Sequence, residues 1–228
     1  MEVTYIDSLG DDVMVVNAAR VSFNKESQYE IVGDSSGDDW SFKLPDQDVK
    51  LLSYLAKHQH WTPFAHPQIT LRVKAPVFVR TQLFKHKVGF TENEVSRRYV
   101  DDEPEFFFPE GFRPRPTDGA KQGSAEGFVP RNDAIKVEYE WFIEQALEMY
   151  EQLIEDGVAP EQARMVLPQS MYTEWFWTGS LAAYARMCRQ RLDSHAQQET
   201  REVAQMISDI IEPIFPESWK VLMANVKS

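Results

Sequence analysis

Apolar and polar residues alternate in "MEVTYID" at the start of the chain, a period of two that predicts a strand. "DDVMVVNAARVSF", residues 11–23, sets acidic residues ahead of apolar ones and predicts a helix, because carboxylates favour the positive end of the helix dipole. Residues 25–45 are polar and turn-rich and predict an irregular loop. "PDQDVKLLSYLAKHQHW", residues 45–61, predicts a second helix, with Pro45 and Asp46 at its start and Val49, Leu52 and Leu55 on one face. "PQITLRVKAP", residues 67–76, alternates again; Ile69, Leu71 and Val73 point one way and Pro76 ends the strand. "PVFVRTQLFKHK" follows with proline at a first helical position. Phe78, Gln82 and Lys85 share a side of this helix, which delivers Lys85, His86 and Lys87 at its C-terminal end before the chain runs into a loop.

The second half is mostly helical. Residues 101–131 hold five prolines and four glycines and read as one long connection, of the kind that is functional or disordered. "NDAIKVEYEWFIEQALEMYEQLIEDG", residues 132–157, is the clearest helix: Ile135, Tyr139, Phe142, Ala146, Leu153 and Ile154 keep helical spacing between Asn132 and Gly157. "PEQARMVLP" predicts a short helix between prolines, and "MYTEWFWTG" a strand. "SLAAYARMCRQRL" and "HAQQETREVAQMISDIIEPI" predict helices, the second with a buried stripe of Val203, Met206, Ile207, Ile210 and Ile214. A few strands and many helices make the class α+β. With no internal repeat, 228 residues are expected to form one domain, 1–228, with irregular loops at about 25–45 and 101–131.

Composition narrows the function. Hydrophobic residues at 43% supply a core, so whole-chain disorder is excluded. A formal net charge of -12 argues against a protein that coats nucleic acid, and it makes a local cluster of cations conspicuous. That cluster is "FKHKVGFTENEVSRRYV", residues 84–100, in which Lys85, His86, Lys87, Arg97 and Arg98 surround Glu92, Glu94 and Ser96. Lysines at a helix C-terminus are also favoured by the dipole alone. Forked arginine donors, a serine hydroxyl and loop N–H groups together are the parts of a phosphate site. No GxxxxGK[ST] or GxGxxG is present, so nucleotide sites of those kinds do not apply.

"KHQHWTPFAH" brings His58, His60 and His66 together, but without HExxH spacing or a suitably placed acid. An aromatic-lined ligand wall with Trp61 and Phe64 is expected there, and no metal. Arg164, among apolar neighbours, reads as an ion-pair partner of Glu161 or of another acid. Arg186 and Arg189 share a helix face from which Arg191 is turned away. That face reads as a solvated one, while Ala182, Ala183 and Ala185 point to close packing, between helices or between subunits. Cys188 is the only cysteine, which excludes an intramolecular disulfide and a cysteine zinc site. With an N-terminus unlike a signal peptide and no apolar run of roughly 18–20 residues, the cytoplasm is the expected compartment.

These segments, in this order, resemble the flavin-dependent thymidylate synthases, the ThyX type, from "AARVSF" at residue 18 to about Glu199. The family signature RHRxxSxNExSxRY reads here "KHKVGFTENEVSRRY". Both outer arginines of the first triplet are lysines, one extra residue precedes Asn93, Phe90 or Thr91 replaces the serine, and "NEVSRRY" matches throughout. "HQHWTPFAH" matches a HGHxTPFEH-like segment with Ala65 in place of glutamate, and "ARMVLP" and "RLDSHAQ" are family segments as well.

The resemblance implies a ThyX-like fold, a small mixed or antiparallel sheet packed with several helices. It implies methylation of deoxyuridylate to thymidylate, with methylenetetrahydrofolate as carbon donor, a hydride carried by FAD, NADPH as reductant and no cysteine nucleophile. It also implies homotetramers whose sites are shared between subunits. Carried over by motif, deoxyuridylate would be bound by Gln82, Lys85, Glu94, Val95, Ser96, Arg97, Arg98, Arg164 and Arg191, and FAD by Ser22, Thr62, Lys85, His86, Lys87, Glu94, Ser180, Arg186 and His195.

Arg191, Ser96 and His60 would be catalytic, with Trp61 or Tyr99 stacking on a pterin. Arg191 matches the residue that activates the uracil ring; a guanidinium stays protonated, so it would stabilise an anion on the ring rather than act as a base. Ser180 stands where the family often has asparagine, Ala182 where it often has arginine and Arg186 where it has asparagine or histidine, so that Arg186 would replace the cation lost at Ala182. Two other readings stay open on the residues alone: a flavin- and nucleotide-binding relative without turnover, and a uracil-modifying flavoenzyme with a variant folate.

Overall fold

The computed structural model describes residues 1–33, 40–99, 103–117, 119 and 122–224. In chain order it contains β1 (Glu2–Leu9), α1 (Asp12–Arg20), β2 (Glu30–Gly33), β3 (Trp40–Lys43), α2 (Asp46–Lys57), β4 (Gln68–Pro76), α3 (Val77–Leu83) and β5 (Phe90–Glu94). After the long connection come α4 (Asn132–Glu155), α5 (Pro160–Ala163), β6 (Tyr172–Ser180), α6 (Leu181–Arg191), α7 (Gln198–Ile211) and α8 (Pro216–Met223).

Four strands pair antiparallel in the order β1-β4-β6-β5. Alternation decides the faces. Ile69, Leu71, Val73 and Ala75 of β4 are fully buried, as are Trp175 and Trp177 of β6. The opposite face is mostly polar, Phe176 excepted: the hydroxyls of Thr70 and Thr178 lie 3.0 Å apart, and Arg72 pairs with Glu174 at 2.5 Å. Each large side chain on the buried face contributes about 1.5–3 kcal/mol by leaving water. Helices α1, α2, α3, α6, α7 and α8 close over it in one continuous core with Val15, Leu52, Leu83, Tyr184, Ile207 and Trp219.

Buried carboxylates hold the helices in register. The Asp12 carboxylate accepts from the backbone N–H groups of Glu217 and Ser218, 2.9 Å each, and so caps α8 from the other end of the chain. Asp48, fully buried, accepts from Arg20 and from the Ser27 hydroxyl, which ties α2 to α1 and the segment after it.

Several expectations are corrected. Residues 25–45 are not one irregular loop, because β2 and β3 pair there from Glu30↔Lys43 to Gly33↔Trp40. Two four-residue alternations were outweighed by the turn-forming residues between them; 34–39 lie outside the described residues. Helix α3 ends at Leu83 rather than Lys87: the Lys85 and His86 N–H groups bond back to Gln82 and Leu83 in a tighter turn. The segment after it is strand β5 rather than a loop, since β6 offers an open edge to pair with.

Helix α7 begins at Gln198, three residues later than its apolar spacing predicts, after a turn closed by the Asp193 carbonyl and carboxylate. Helix α4 buries Ile143, Ala146 and Tyr150, whereas Phe142 is exposed with Val137, Trp141 and Met149. The described part of 103–131 has no helix or strand, and Phe106 bridges it to Met171. Residues 100–102, 118, 120 and 121 of that connection lie outside the described residues. No described helix is long and apolar enough to cross a membrane.

Candidate functional site

A cavity of about 780 Å³ opens where β5 leaves the sheet, and Glu94, Val95, Ser96, Arg97, Arg98 and Arg164 line it together. Residues 66 or more positions apart in the chain meet there because the Val95 N–H continues the β5–β6 pairing to the Glu174 carbonyl, while α5 and the Arg164–Val166 turn follow directly on α4. Two of the cations lining this cavity are matched by carboxylates: Lys74 by Glu105 at 2.7 Å and Arg80 by Glu94 at 2.5 Å. Arg98 and Arg164 have no carboxylate partner among the described residues. The Arg98 Nε donates to the Ser96 hydroxyl at 3.2 Å, and the Arg164 Nε to the Glu161 carbonyl at 3.3 Å. Arg164 therefore does not form the ion pair with Glu161. Two guanidiniums without a carboxylate partner among the described residues, together with a hydroxyl in one open cavity, have the donors to hold an anion.

A second group lies behind α3. The Arg191 guanidinium donates through Nε to His86 Nε2 at 3.0 Å and through Nη2 to the Gln82 carbonyl at 3.1 Å. Because Nε2 accepts, the neutral imidazole carries its proton on Nδ1. His86 is only 8% exposed, and burial, then Arg191, then Arg186 push its pKa down from 6.5 to about 4. The folded chain thus keeps a neutral imidazole where the unfolded chain takes a proton. That contribution to stability is complete above about pH 6.5 and is lost as pH falls toward the folded value. Burial also lowers the pKa of Arg191. The Gln82 side chain bonds to Gln197, Gln197 to Glu199 at 3.0 Å, and Glu199 to Arg113 of the long connection. This chain of contacts fixes the turn that presents His86.

The turn itself presses on α6. Gly89 has φ +80, a conformation that favours glycine, and a Cβ there would meet the Ala183 Cβ at 3.0 Å and the Ser180 hydroxyl at 3.2 Å. Ser180 caps α6, accepting from the Ala183 N–H at 3.2 Å, and Arg186 donates to the Val88 carbonyl. Lys85 and Lys87 stay exposed on this turn; Lys87 pairs with Glu92 and lies 5.0 Å from the Phe84 ring centre. His60, Trp61, Ala182, Arg186 and Arg189 line a neighbouring cavity of about 310 Å³, and exposed Thr62 follows directly on Trp61.

His195 lies with Arg189, Arg191 and Asp193 around a further cavity of about 500 Å³, its Nδ1 3.0 Å from the Asp193 carboxylate. Ser22 is exposed on the single turn Val21–Phe23, just past α1. The expected site residues thus form an anion cavity, an Arg191–His86–Gln82 group and an α6 surface with cations and aromatics. Among the described residues, the cavity lined by Arg98 and the one lined by Arg191 share no lining residue.

Arg80 and Thr173, which hold Glu94, carry no motif signal, and only their position on facing elements reveals them. Cys188 is fully buried, its thiol donates to the Ala204 carbonyl at 3.6 Å, and burial pushes its pKa well above the usual thiol range. It cannot supply a thiolate to a ligand.

Residues 4–217 match the family model described as thymidylate synthase complementing protein. A flavin-dependent thymidylate synthase of Thermosipho melanesiensis is 37% identical over 216 residues, 94% of this chain and 87% of that protein. One of Thermus thermophilus is 36% identical over 221 residues, 95% of this chain and 73% of that protein. Among solved structures, the UMP/dUMP methylase PolB from Streptomyces cacaoi bound with 5-Br dUMP has a TM-score of 0.82 at 26% identity, covering 99% of this chain and 95% of that one.

Proposed function

The chain belongs to the flavin-dependent thymidylate synthase family, and from that premise we propose how its own residues methylate deoxyuridylate to thymidylate. The observation that carries the reading is the cavity lined by Ser96, Arg98 and Arg164, in which neither of these two arginines has a carboxylate partner among the described residues. In a chain of net charge -12 such a site selects a small dianion, and the nucleotide's phosphate fits it.

The C5 hydrogen of the pyrimidine leaves as a proton, a one-carbon unit from methylenetetrahydrofolate takes its place, and a hydride reduces that unit to methyl as the C–N bond to tetrahydrofolate breaks and tetrahydrofolate leaves. FAD, re-reduced by NADPH, supplies the hydride when bound. Its requirements match the turn and the α6 surface: exposed Lys85 and Lys87 with Arg186 and Arg189 provide cations for a pyrophosphate, and His60 and Trp61 an aromatic wall. Ser180 and Arg186 act there by holding the turn against α6. The Arg191 guanidinium, held by His86 and the Gln82 carbonyl, stabilises the negative charge that develops on the ring nitrogen and carbonyl and makes C5 the better nucleophile. The buried Cys188 supports a route without a thiolate adduct.

The cavity with Arg98 and the one with Arg191 share no lining residue, and a second copy would bring an Arg191 to each phosphate. The exposed apolar residues of α4, Trp141 and Met149 among them, and those of β2 and β3 provide surface for a homotetramer with shared sites. A single buried cysteine suits the reducing cytoplasm.

The test is anaerobic turnover of deoxyuridylate with methylenetetrahydrofolate, FAD and NADPH, each omitted in turn. Thymidylate is expected only in the complete mixture, with the flavin band bleached by NADPH. Bleaching and nucleotide binding without product in the complete mixture would leave a binding protein in place of the enzyme.

A further inference from the structure

We propose that Arg80 is an additional ligand for the substrate phosphate, and that Glu94 acts by aiming it rather than by touching the nucleotide. This rests on the nucleotide reading of the cavity given above.

Arg80 projects from α3 into the cavity shared by Ser96, Arg98 and Arg164. Its guanidinium is fixed before any ligand arrives. Nε donates to Glu94 Oε1 at 2.9 Å and Nη2 to Oε2 at 2.5 Å, and the carbon of the guanidinium lies 4.9 Å from the centre of the Phe84 ring. The Thr173 hydroxyl donates to the same Oε1 at 2.7 Å, which sets the carboxylate from the β6 side. Both oxygens of Glu94 are therefore engaged, and a carboxylate is in any case repelled by a phosphate dianion.

The fork uses one edge of the guanidinium. Of its five N–H donors, those on the other edge remain for an oxygen acceptor in the cavity. A half-exposed lysine would have to be ordered on binding; this arginine is ordered already, with 28% of its side chain and 22% of that of Glu94 exposed. An acid lining a phosphate cavity is thereby explained, because its charge holds a cation in position instead of opposing the ligand.

Binding of deoxyuridylate and of deoxyuridine, which lacks the phosphate, to the flavin-loaded protein tests this. Arg80→Ala is expected to weaken deoxyuridylate about tenfold or more and to leave deoxyuridine unchanged. Arg80→Lys recovers only part of the loss, since a point charge cannot form the fork. Glu94→Gln weakens deoxyuridylate in the wild-type background and adds nothing in the Arg80→Ala background.

If Arg98→Ala selectively weakens deoxyuridylate while Arg80→Ala weakens both ligands equally or neither, Arg80 is structural and the proposal falls alone. If neither arginine variant affects deoxyuridylate, the nucleotide reading falls with it. Should Arg80→Ala fail to fold, Arg80→Lys and Glu94→Gln carry the test, and unchanged deoxyuridylate binding in both overturns the proposal.

Discussion

Replacing Arg191 by alanine is expected to lower thymidylate formation by about 10²–10³-fold while flavin stays bound, the range seen when one preorganised donor to a developing oxyanion is removed. The side chain is held by two acceptors that do not belong to the ligand, the His86 imidazole and the Gln82 carbonyl. Its charge is therefore in place before the ring becomes negative, and the transition state gains the interaction without reordering the protein. Arg191→Lys should recover little, because a lysine cannot reach both acceptors with one planar group. With a pKa near 4, His86 remains an acceptor at pH 5, so it does not set an acid limb of activity above that pH. Turnover under saturating substrates, beside the flavin absorbance of the purified variant, measures the effect. Undiminished turnover would remove Arg191 from the reaction.

A large loss of stability is expected from Arg113→Met. Arg113 pairs with Glu199, whose side chain is 7% exposed, and it is the point at which the long connection is tied to α7. Burial alone would raise the Glu199 pKa, but the Arg113 hydrogen bond, with help from Gln197, outweighs it and holds the carboxyl below its ordinary value. The pair's contribution is thus present above the unfolded carboxyl pKa and lost as pH falls through the lower folded one. Removing the arginine leaves a buried, underpaired carboxylate, at a cost of about 3–5 kcal/mol. For a chain of this length that is a fall in Tm of roughly 6–20 °C at fixed protein concentration. Glu199→Leu in the Arg113→Met background should restore much of it, because two apolar groups do not need each other's charge.

Elements with a strong period were legible in the sequence. Strands β4 and β6 alternate cleanly, and α4 and α6 lie where helical spacing predicts them. What was not legible depends on partners far along the chain. Helix α8 starts at Pro216, a local signal, but its cap comes from Asp12, some two hundred residues away, which no local spacing reveals. Strand β5 exists because β6 leaves an edge open, and its own "FTENE" contains too little alternation to predict it.

The site divides in the same way. Motif order indicates Ser96, Arg98, Arg164 and Arg191, since each is embedded in a recognisable segment. That Arg98 and Arg164 share a cavity, that His86 faces Arg191 and that Arg80 holds Glu94 are consequences of the turn after α3 and the β5–β6 register. Spacing along the chain does not encode them.

The account depends on a nucleotide site completed by two subunits, one giving Ser96, Arg98 and Arg164 and another giving Arg191. Mixing subunits of the Arg98→Ala variant with subunits of the Arg191→Ala variant tests this most directly. Each is expected to be nearly inactive alone, and the mixed assembly should regain a substantial fraction of wild-type thymidylate formation, because some of its sites then combine an intact Arg98 with an intact Arg191. Mixed assemblies that form but remain as inactive as the two parents would contradict it.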